Sequence, residues 1–151
     1  EFERAAVFRD RTARLRQIAA RQDVSTQGGD VDVLAVAMEG GTAVLSLGLV
    51  RGGQHLGHQV FTPQLPPDTT AAELRTAFLS QHYEQVPPPA EILLDGDIED
   101  AALLGEALSV AAGHGVALRQ PQRGQRMRWV ELARTNAAEA LRLRQSGGAH
   151  L

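Results

Sequence analysis

Cysteine and lysine are both missing from this chain of 151 residues. The absence of cysteine excludes a disulfide framework and a thiolate metal site. Because all fifteen basic residues are arginines, we attribute that bias to genome composition rather than to function. The sequence contains no apolar run near the ~20 residues of a membrane-spanning helix, and no signal peptide pattern opens it. We therefore expect a cytoplasmic protein that has no membrane contact.

Charge is segregated along the chain. Residues 1–22 carry six arginines against three acids, and residues 119–151 carry seven against two. The stretch between them, residues 23–118, carries two arginines against thirteen acids. A net acidic domain is not drawn to DNA by its overall field. Any contact with DNA phosphates is therefore expected from the two basic ends, where arginine can pair with phosphate.

The first 22 residues read as a helix that precedes the globular domain. Its apolar residues recur at helical spacing, and they are Phe2, Ala5, Phe8, Leu15 and Ile18. A polar, turn-rich linker follows at 23–30, then one domain at 31–146 and a short tail at 147–151. Since the sequence starts at Glu1, inside a helical pattern and without an initiator methionine, we expect an excised piece of a longer protein.

Three strands joined by two diglycine turns are predicted after the linker. The strands are Val31–Met38, Ala43–Val50 and Gln54–Phe61, and two consecutive glycines suit a tight hairpin. The first strand is apolar on both faces beyond its second residue, as expected of a central strand. In the third, His55 and His58 are three residues apart, which predicts opposite faces and surface positions rather than metal ligands.

Helices and strands alternate in the rest of the chain. Thr70 and Glu73 have capping-box spacing at the start of a helix over 70–83. A buried strand, Glu91–Asp95, leads to a helix over 98–112 that Gly113 ends, and a brief strand at Val116–Leu118 precedes the last helix. The order β-β-β-α-β-α-β-α is that of the ribonuclease H fold, an α/β fold with a mixed sheet.

Nucleases of that fold hold two divalent metals between carboxylates on the first strand and at the end of the fourth. Asp95 has the second of these positions, but the first strand offers only apolar residues in its middle. Asp32 lies at its entrance and Glu39 in the following turn. We expect an incomplete metal set; the alternative is a metal-dependent nuclease that uses Asp95 with Asp32 or Glu39. The neighbouring Asp97, Glu99 and Asp100 are interpreted as helix caps.

The last helix is long and basic. Its predicted buried stripe consists of Trp129, Leu132, Ala133, Asn136, Ala140 and Leu143. Arg123, Arg126 and Arg128 lie near its start, and they are predicted either to contact DNA phosphates or to pair with the acidic part of the domain. The phrase Pro-x-Arg-Gly, then Leu-Ala, then Thr-Asn-Ala within residues 121–138 resembles a segment of the UvrC family of bacterial ABC excinuclease proteins.

Residues 1–10, EFERAAVFRD, resemble the second helix of the UVR motif of that family. The resemblance implies that Phe2, Ala6, Arg9 and Asp10 belong to a surface that binds the C-terminal hairpin of UvrB. The first helix of this hairpin would lie upstream of Glu1, so binding by the present chain is not expected. The alternative for this apolar face is packing against the chain's own domain.

Family resemblance implies a function without chemistry for this segment. It resembles the non-catalytic middle module that positions the two nuclease domains in nucleotide excision repair, and the signatures of both nuclease domains are absent here. It implies Mg or Mn in the parent nuclease, no cofactor in this segment, and UvrB and damaged DNA as partners, with no small-molecule substrate. A stand-alone adaptor unrelated to repair is the remaining alternative.

Overall fold

The computed structural model describes the backbone of residues 29–149 and the side chains of residues 29–146. The predicted N-terminal helix and most of the predicted linker lie outside these residues. The elements are β1 (Val31–Glu39), β2 (Thr42–Arg51), β3 (Gln54–Phe61), α1 (Ala71–Gln85), β4 (Glu91–Leu94), α2 (Ala101–Ala112), β5 (Ala117–Arg119) and α3 (Gly124–Ala149). The predicted order of elements is confirmed.

All five strands form one mixed sheet in the order β3-β2-β1-β4-β5. Neighbouring strands are antiparallel between β1 and β2 and between β2 and β3. They are parallel between β1 and β4 and between β4 and β5. The apolar first strand lies in the middle of the sheet, because only a central strand buries both of its faces. The predicted ribonuclease H-like fold is confirmed.

Both hairpins of the meander use the predicted glycines. Gly40 and Gly41 have φ angles of 58° and 81°, and Gly52 and Gly53 have 59° and 82°. Two consecutive positive φ angles match the twist of the flanking strands, and glycine adopts them without steric cost.

The sheet is covered on both faces. One face packs against α1 and α2, with Leu34, Leu45, Leu47, Phe61, Phe78 and Ile92 at its centre. The other packs against α3, with Val31, Val33, Ala35, Val50, Leu93, Val130, Ala133 and Ala137. Strand residues alternate between these cores because successive side chains point to opposite faces of a strand.

The prediction that His55 and His58 lie on opposite faces is wrong. The register between β2 and β3 shifts at Leu49 and Val50, so that His55 pairs with Val50 and His58 pairs with Gly48. This β-bulge leaves one residue of β3 unpaired and reverses the expected alternation. Both imidazoles therefore lie on the α3 face, and the partial burial of His58 together with the proximity of His55 lowers the pKa of His58.

The start of α1 is confirmed and that of α2 is not. Thr70 Oγ1 accepts from the Glu73 amide at 3.1 Å, and Glu73 Oε1 accepts from the Thr70 amide at 2.8 Å. Residue Asp100 precedes α2 with a φ of 51° and makes no side-chain capping bond. The Asp97 carboxylate instead accepts from Gln120, which directly follows β5, at 3.1 Å.

The predicted buried stripe of α3 is only partly correct. Val130, Ala133, Ala137 and Leu141 are buried, whereas Leu132 and Leu143 are exposed to 43% and 56%. The face of α3 that packs against the sheet is therefore rotated by about one residue from the predicted face. Ala133 belongs to both faces. Within residues 29–149, no helix combines the length and the apolarity needed to cross a membrane.

Candidate functional site

The carboxylate at the end of β4 is held by an ion pair. Asp95 Oδ1 accepts from Arg75 Nε on α1 at 2.7 Å, and Asp95 Oδ2 accepts from the Val36 amide on β1 at 3.2 Å. The side chains of Arg75 and Asp95 are exposed to only 11% and 5%. From the other layer, Arg134 on α3 donates to the Asp95 carbonyl oxygen at 2.9 Å. Both oxygens of the Asp95 carboxylate therefore already accept hydrogen bonds from within the domain.

Asp32 belongs to a separate buried network. Its Oδ1 accepts from Arg51 Nη1 at 2.9 Å, and its Oδ2 accepts from the Tyr83 hydroxyl. Burial raises the pKa of Asp32, although the Arg51 guanidinium opposes this shift. Burial likewise raises the pKa of Tyr83, and the adjacent Asp32 carboxylate adds to that shift. These contacts tie β1, β2 and α1 together at one end of the sheet.

The three acids of the predicted nuclease alternative do not meet. Asp32 is in register with Ile92, so Asp95 lies about 10 Å farther along the sheet at ~3.3 Å per residue. Glu39 is exposed at the far end of β1, about 10 Å beyond Val36 by the same spacing. In the part of the chain that the structure describes, no three metal-ligating side chains form a group that would hold a metal ion. The residues present do not fit a two-metal centre.

The predicted basic positions near the start of α3 differ in their partners. Arg126 forms a bidentate pair with Glu91 of β4, at 2.7 and 2.9 Å, and Arg119 lies 3.3 Å from the same carboxylate. The hydrogen bond from Arg126 lowers the pKa of Glu91. Arg123 and Arg128 are exposed and pair with no acidic side chain between residues 29 and 146. Two of the three predicted phosphate-binding arginines are therefore available to a ligand.

An apolar groove separates the end of α1 from α2. Its volume is about 700 Å³, and its lining includes Tyr83, Pro87, Leu104 and Ala111. On the outer side of α2, Leu103 and Val110 are exposed to 66% and 79%.

The predicted UvrB-binding residues Phe2, Ala6, Arg9 and Asp10 lie outside the described residues. The structure instead adds three residues that the sequence pattern did not indicate. Arg75, Arg51 and Tyr83 each bind one of the two buried carboxylates. A weak signal was present, because Arg75 directly follows Leu74 within the buried face of α1.

The family model and the similar sequences agree on one family. The family model described as the UvrC ribonuclease H-like domain matches residues 30–144. UvrABC system protein C of Novosphingobium aromaticivorans is 43% identical over 150 residues, which cover 97% of this chain and 23% of the relative. The protein of that name from Alkalilimnicola ehrlichii is 40% identical over 146 residues, covering 97% and 24%. The one from Xylella fastidiosa is 44% identical over 141 residues, covering 93% and 23%.

The chain spans about a quarter of the length of these relatives. The matched domain and the identities over most of the chain point the same way as the motif resemblance in the last helix. The chain therefore belongs to the UvrC family.

Proposed function

We propose that this chain is the non-catalytic, ribonuclease H-like middle module of a UvrC protein. Membership of the family supports a role in nucleotide excision repair. In this role the module acts in the cytoplasm through contacts, and it holds the nuclease domains of the parent protein in position. The parent would supply the chemistry with Mg or Mn, as a ribonuclease H-like nuclease does.

The observation that carries this proposal is the ion pair between Arg75 and Asp95. In nucleases of this fold the carboxylate at the end of the fourth strand is a metal ligand. Here Arg75 lies 2.7 Å from that carboxylate, and the neighbouring stretch of β1 supplies Leu34, Ala35 and Val36. A positive charge at this place opposes the approach of a divalent cation, which favours a module without its own chemistry.

Two surfaces would carry the contacts. The first comprises Phe2, Ala6, Arg9 and Asp10, which would meet the C-terminal hairpin of UvrB once the first helix of the motif is present. In that surface, Phe2 would be the apolar anchor and the two charged residues would select orientation. The second comprises Arg123 and Arg128, with a smaller share from Arg126, and would contact the backbone of damaged DNA.

A nicking assay tests the proposal against the metal-dependent nuclease that uses Asp95 with Asp32 or Glu39. The purified chain is incubated with Mg²⁺ or Mn²⁺ and with supercoiled plasmid or damaged duplex. We expect no cleavage by the wild type, by Asp95→Asn or by Glu39→Gln. Metal-dependent nicking that Asp95→Asn abolishes, while the exposed matched control Asp97→Asn retains it, would establish the nuclease and overturn the proposal.

A further inference from the structure

The contacts of Arg75 resemble those of a bound cation more than those of a surface ion pair. Its Nε donates to Asp95 Oδ1 at 2.7 Å, and its Nη1 donates to the Asp97 carbonyl oxygen at 2.9 Å. A carboxylate oxygen and a main-chain oxygen thus converge on one positive group. Such hard oxygen atoms are also the ligands that Mg²⁺ and Ca²⁺ select.

Gly96 leaves the space that this guanidinium occupies. A Cβ atom placed on Gly96 would lie 2.5 Å from Arg75 Nη2 and 2.7 Å from Arg75 Cζ. Real Cβ atoms do not approach other heavy atoms so closely, so any side chain at residue 96 would displace the guanidinium. Displacement would break the hydrogen bonds to Asp95 and Asp97, and burial makes that costly because the carboxylate would lose its partner. Close approach of the guanidinium, and not a positive φ, is what requires glycine here.

The surroundings explain why Asp95 needs a counter-charge. Its side chain is exposed to 5%. Its backbone amide is bonded to the Leu34 carbonyl of β1, and its backbone carbonyl is bonded to Arg134 of α3. A carboxylate held in such a place is expensive to keep ionised unless a positive group accompanies it. Within ribonuclease H-like nucleases that positive group is a divalent metal.

We propose that the Arg75 guanidinium, seated against Gly96, is the built-in counter-ion of Asp95 and stands where a ribonuclease H-like nuclease holds its divalent cation. This inference deepens the proposed non-catalytic role and concerns the same site. The charge of Asp95 at the end of β4 is balanced without metal, because one of the chain's own side chains supplies the positive charge. Removing Arg75 is then expected to create a site for a divalent cation.

Urea denaturation in the presence of Mg²⁺ or Mn²⁺, without DNA, tests whether the arginine side chain takes the place of a metal ion. Wild type, Arg75→Met, Asp95→Asn and Arg75→Met/Asp95→Asn are compared at matched ionic strength. We expect Arg75→Met to lower the urea midpoint more than the double variant does, because only the single variant leaves the carboxylate unpaired. Millimolar Mn²⁺ should raise the midpoint of Arg75→Met in a saturable way and leave the wild type and the double variant unchanged.

A second comparison works even if Arg75→Met does not fold. Gly96→Ala, which keeps both charges, should lower the urea midpoint and confer a response to Mn²⁺ by displacing the guanidinium. Gly105→Ala is the matched control, because a Cβ there has no neighbour closer than 3.8 Å, and it should show neither effect.

Two results would overturn the inference. The first is a saturable Mn²⁺ response of the wild type that Asp95→Asn abolishes, since the guanidinium would not then exclude a cation. The second is a Gly96→Ala variant that behaves like Gly105→Ala in both respects. Neither result requires DNA cleavage, so failure here is distinct from failure of the non-catalytic role, which the nicking assay decides.

Discussion

Tyr83 of α1 donates a hydrogen bond to Asp32 of β1, a residue 51 positions earlier in the chain. Both residues are buried, to 5% and 1% exposure, and Arg51 of β2 binds the other oxygen of the same carboxylate at 2.9 Å. The described residues thus contain two buried pairs of carboxylate and arginine, one near each end of the parallel strands. Tyr83 links the Asp32 pair to α1, and Arg75, which lies on α1, links that helix to Asp95 at the end of β4.

Tyr83→Phe should lower the free energy of unfolding by about 1–3 kcal/mol, because it removes a hydrogen bond to a buried, charged acceptor. Urea denaturation at neutral pH measures the loss. The control is a double-mutant cycle with Asp32→Asn, in which the tyrosine substitution should cost less. Equal costs in both backgrounds would show that the two side chains are not coupled.

His82 should make the stability of the domain depend on pH. Burial lowers the pKa of this imidazole to about 3 in the folded chain, whereas an unfolded histidine titrates near ~6.5. Above the unfolded value both states are neutral, and the contribution of His82 is complete. Below it only the unfolded state takes up the proton, so the free energy of unfolding falls by up to ~1.4 kcal/mol per pH unit.

Comparison with His82→Phe between neutral pH and about 5 isolates this slope, since other groups contribute to both proteins. Asp32 titrates with the opposite sign, because its pKa is raised and protonation favours the folded state. The difference in unfolding free energy between wild type and variant should therefore shift in the variant's favour as the pH falls. A constant difference over this range would contradict the prediction.

Thr70→Ala should destabilise the domain by about 1 kcal/mol, because it removes the side-chain acceptor of the capping box at the start of α1. Thermal unfolding followed by circular dichroism measures the change. Thr69→Ala is a matched neighbour whose hydroxyl donates to the exposed Pro66 carbonyl, and it should change stability by less than ~0.5 kcal/mol. Equal effects at the two threonines would argue against the capping role.

The basic start of α3 should give weak, sequence-independent DNA affinity that decreases with salt. Arg123→Ala/Arg128→Ala should lower the salt slope by up to ~1.8, at ~0.9 for each phosphate contact. Arg126→Ala should lower it less, since Arg126 already forms a bidentate pair with Glu91. Fluorescence anisotropy over a salt series measures these slopes. Tight binding that the double substitution leaves unchanged would place the DNA contact elsewhere.

Phe2→Ala should weaken binding to the C-terminal peptide of UvrB at least tenfold in a chain that carries both helices of the motif. Truncation of a buried aromatic anchor commonly costs ~2 kcal/mol or more. Calorimetry measures the affinity, and Thr12→Ala, outside the four predicted contact positions, is the control. An affinity that survives Phe2→Ala would leave this helix with a packing role only.

Local chemistry made much of the architecture predictable. Pairs of glycines at 40–41 and 52–53 specify hairpins because few other residues adopt two positive φ angles in succession. Thr70 and Glu73 specify a helix start through contacts only three residues apart. The succession of strands and helices then restricts the fold to a mixed sheet, since connections between parallel strands are long and those between antiparallel strands are short.

Other features depend on which residues meet across the sheet, and periodicity does not encode that. The β-bulge that brings His55 and His58 to one face exists only in the pairing of β2 with β3. The helix α3 has two adjacent faces of similar apolarity, and packing against the sheet decides which of them is buried.

The sequence by itself determined the order of elements, the turns, the capping box and the likeness to the UvrC family, because each depends on neighbours along the chain. Only the tertiary structure decided which groups neutralise the buried aspartates. Asp32 and Asp95 read as candidate metal ligands until Arg51 and Arg75, 19 and 20 positions away, are placed beside them. The sequence does not distinguish a carboxylate that a metal neutralises from one that an arginine neutralises, because this depends on which groups pack beside it.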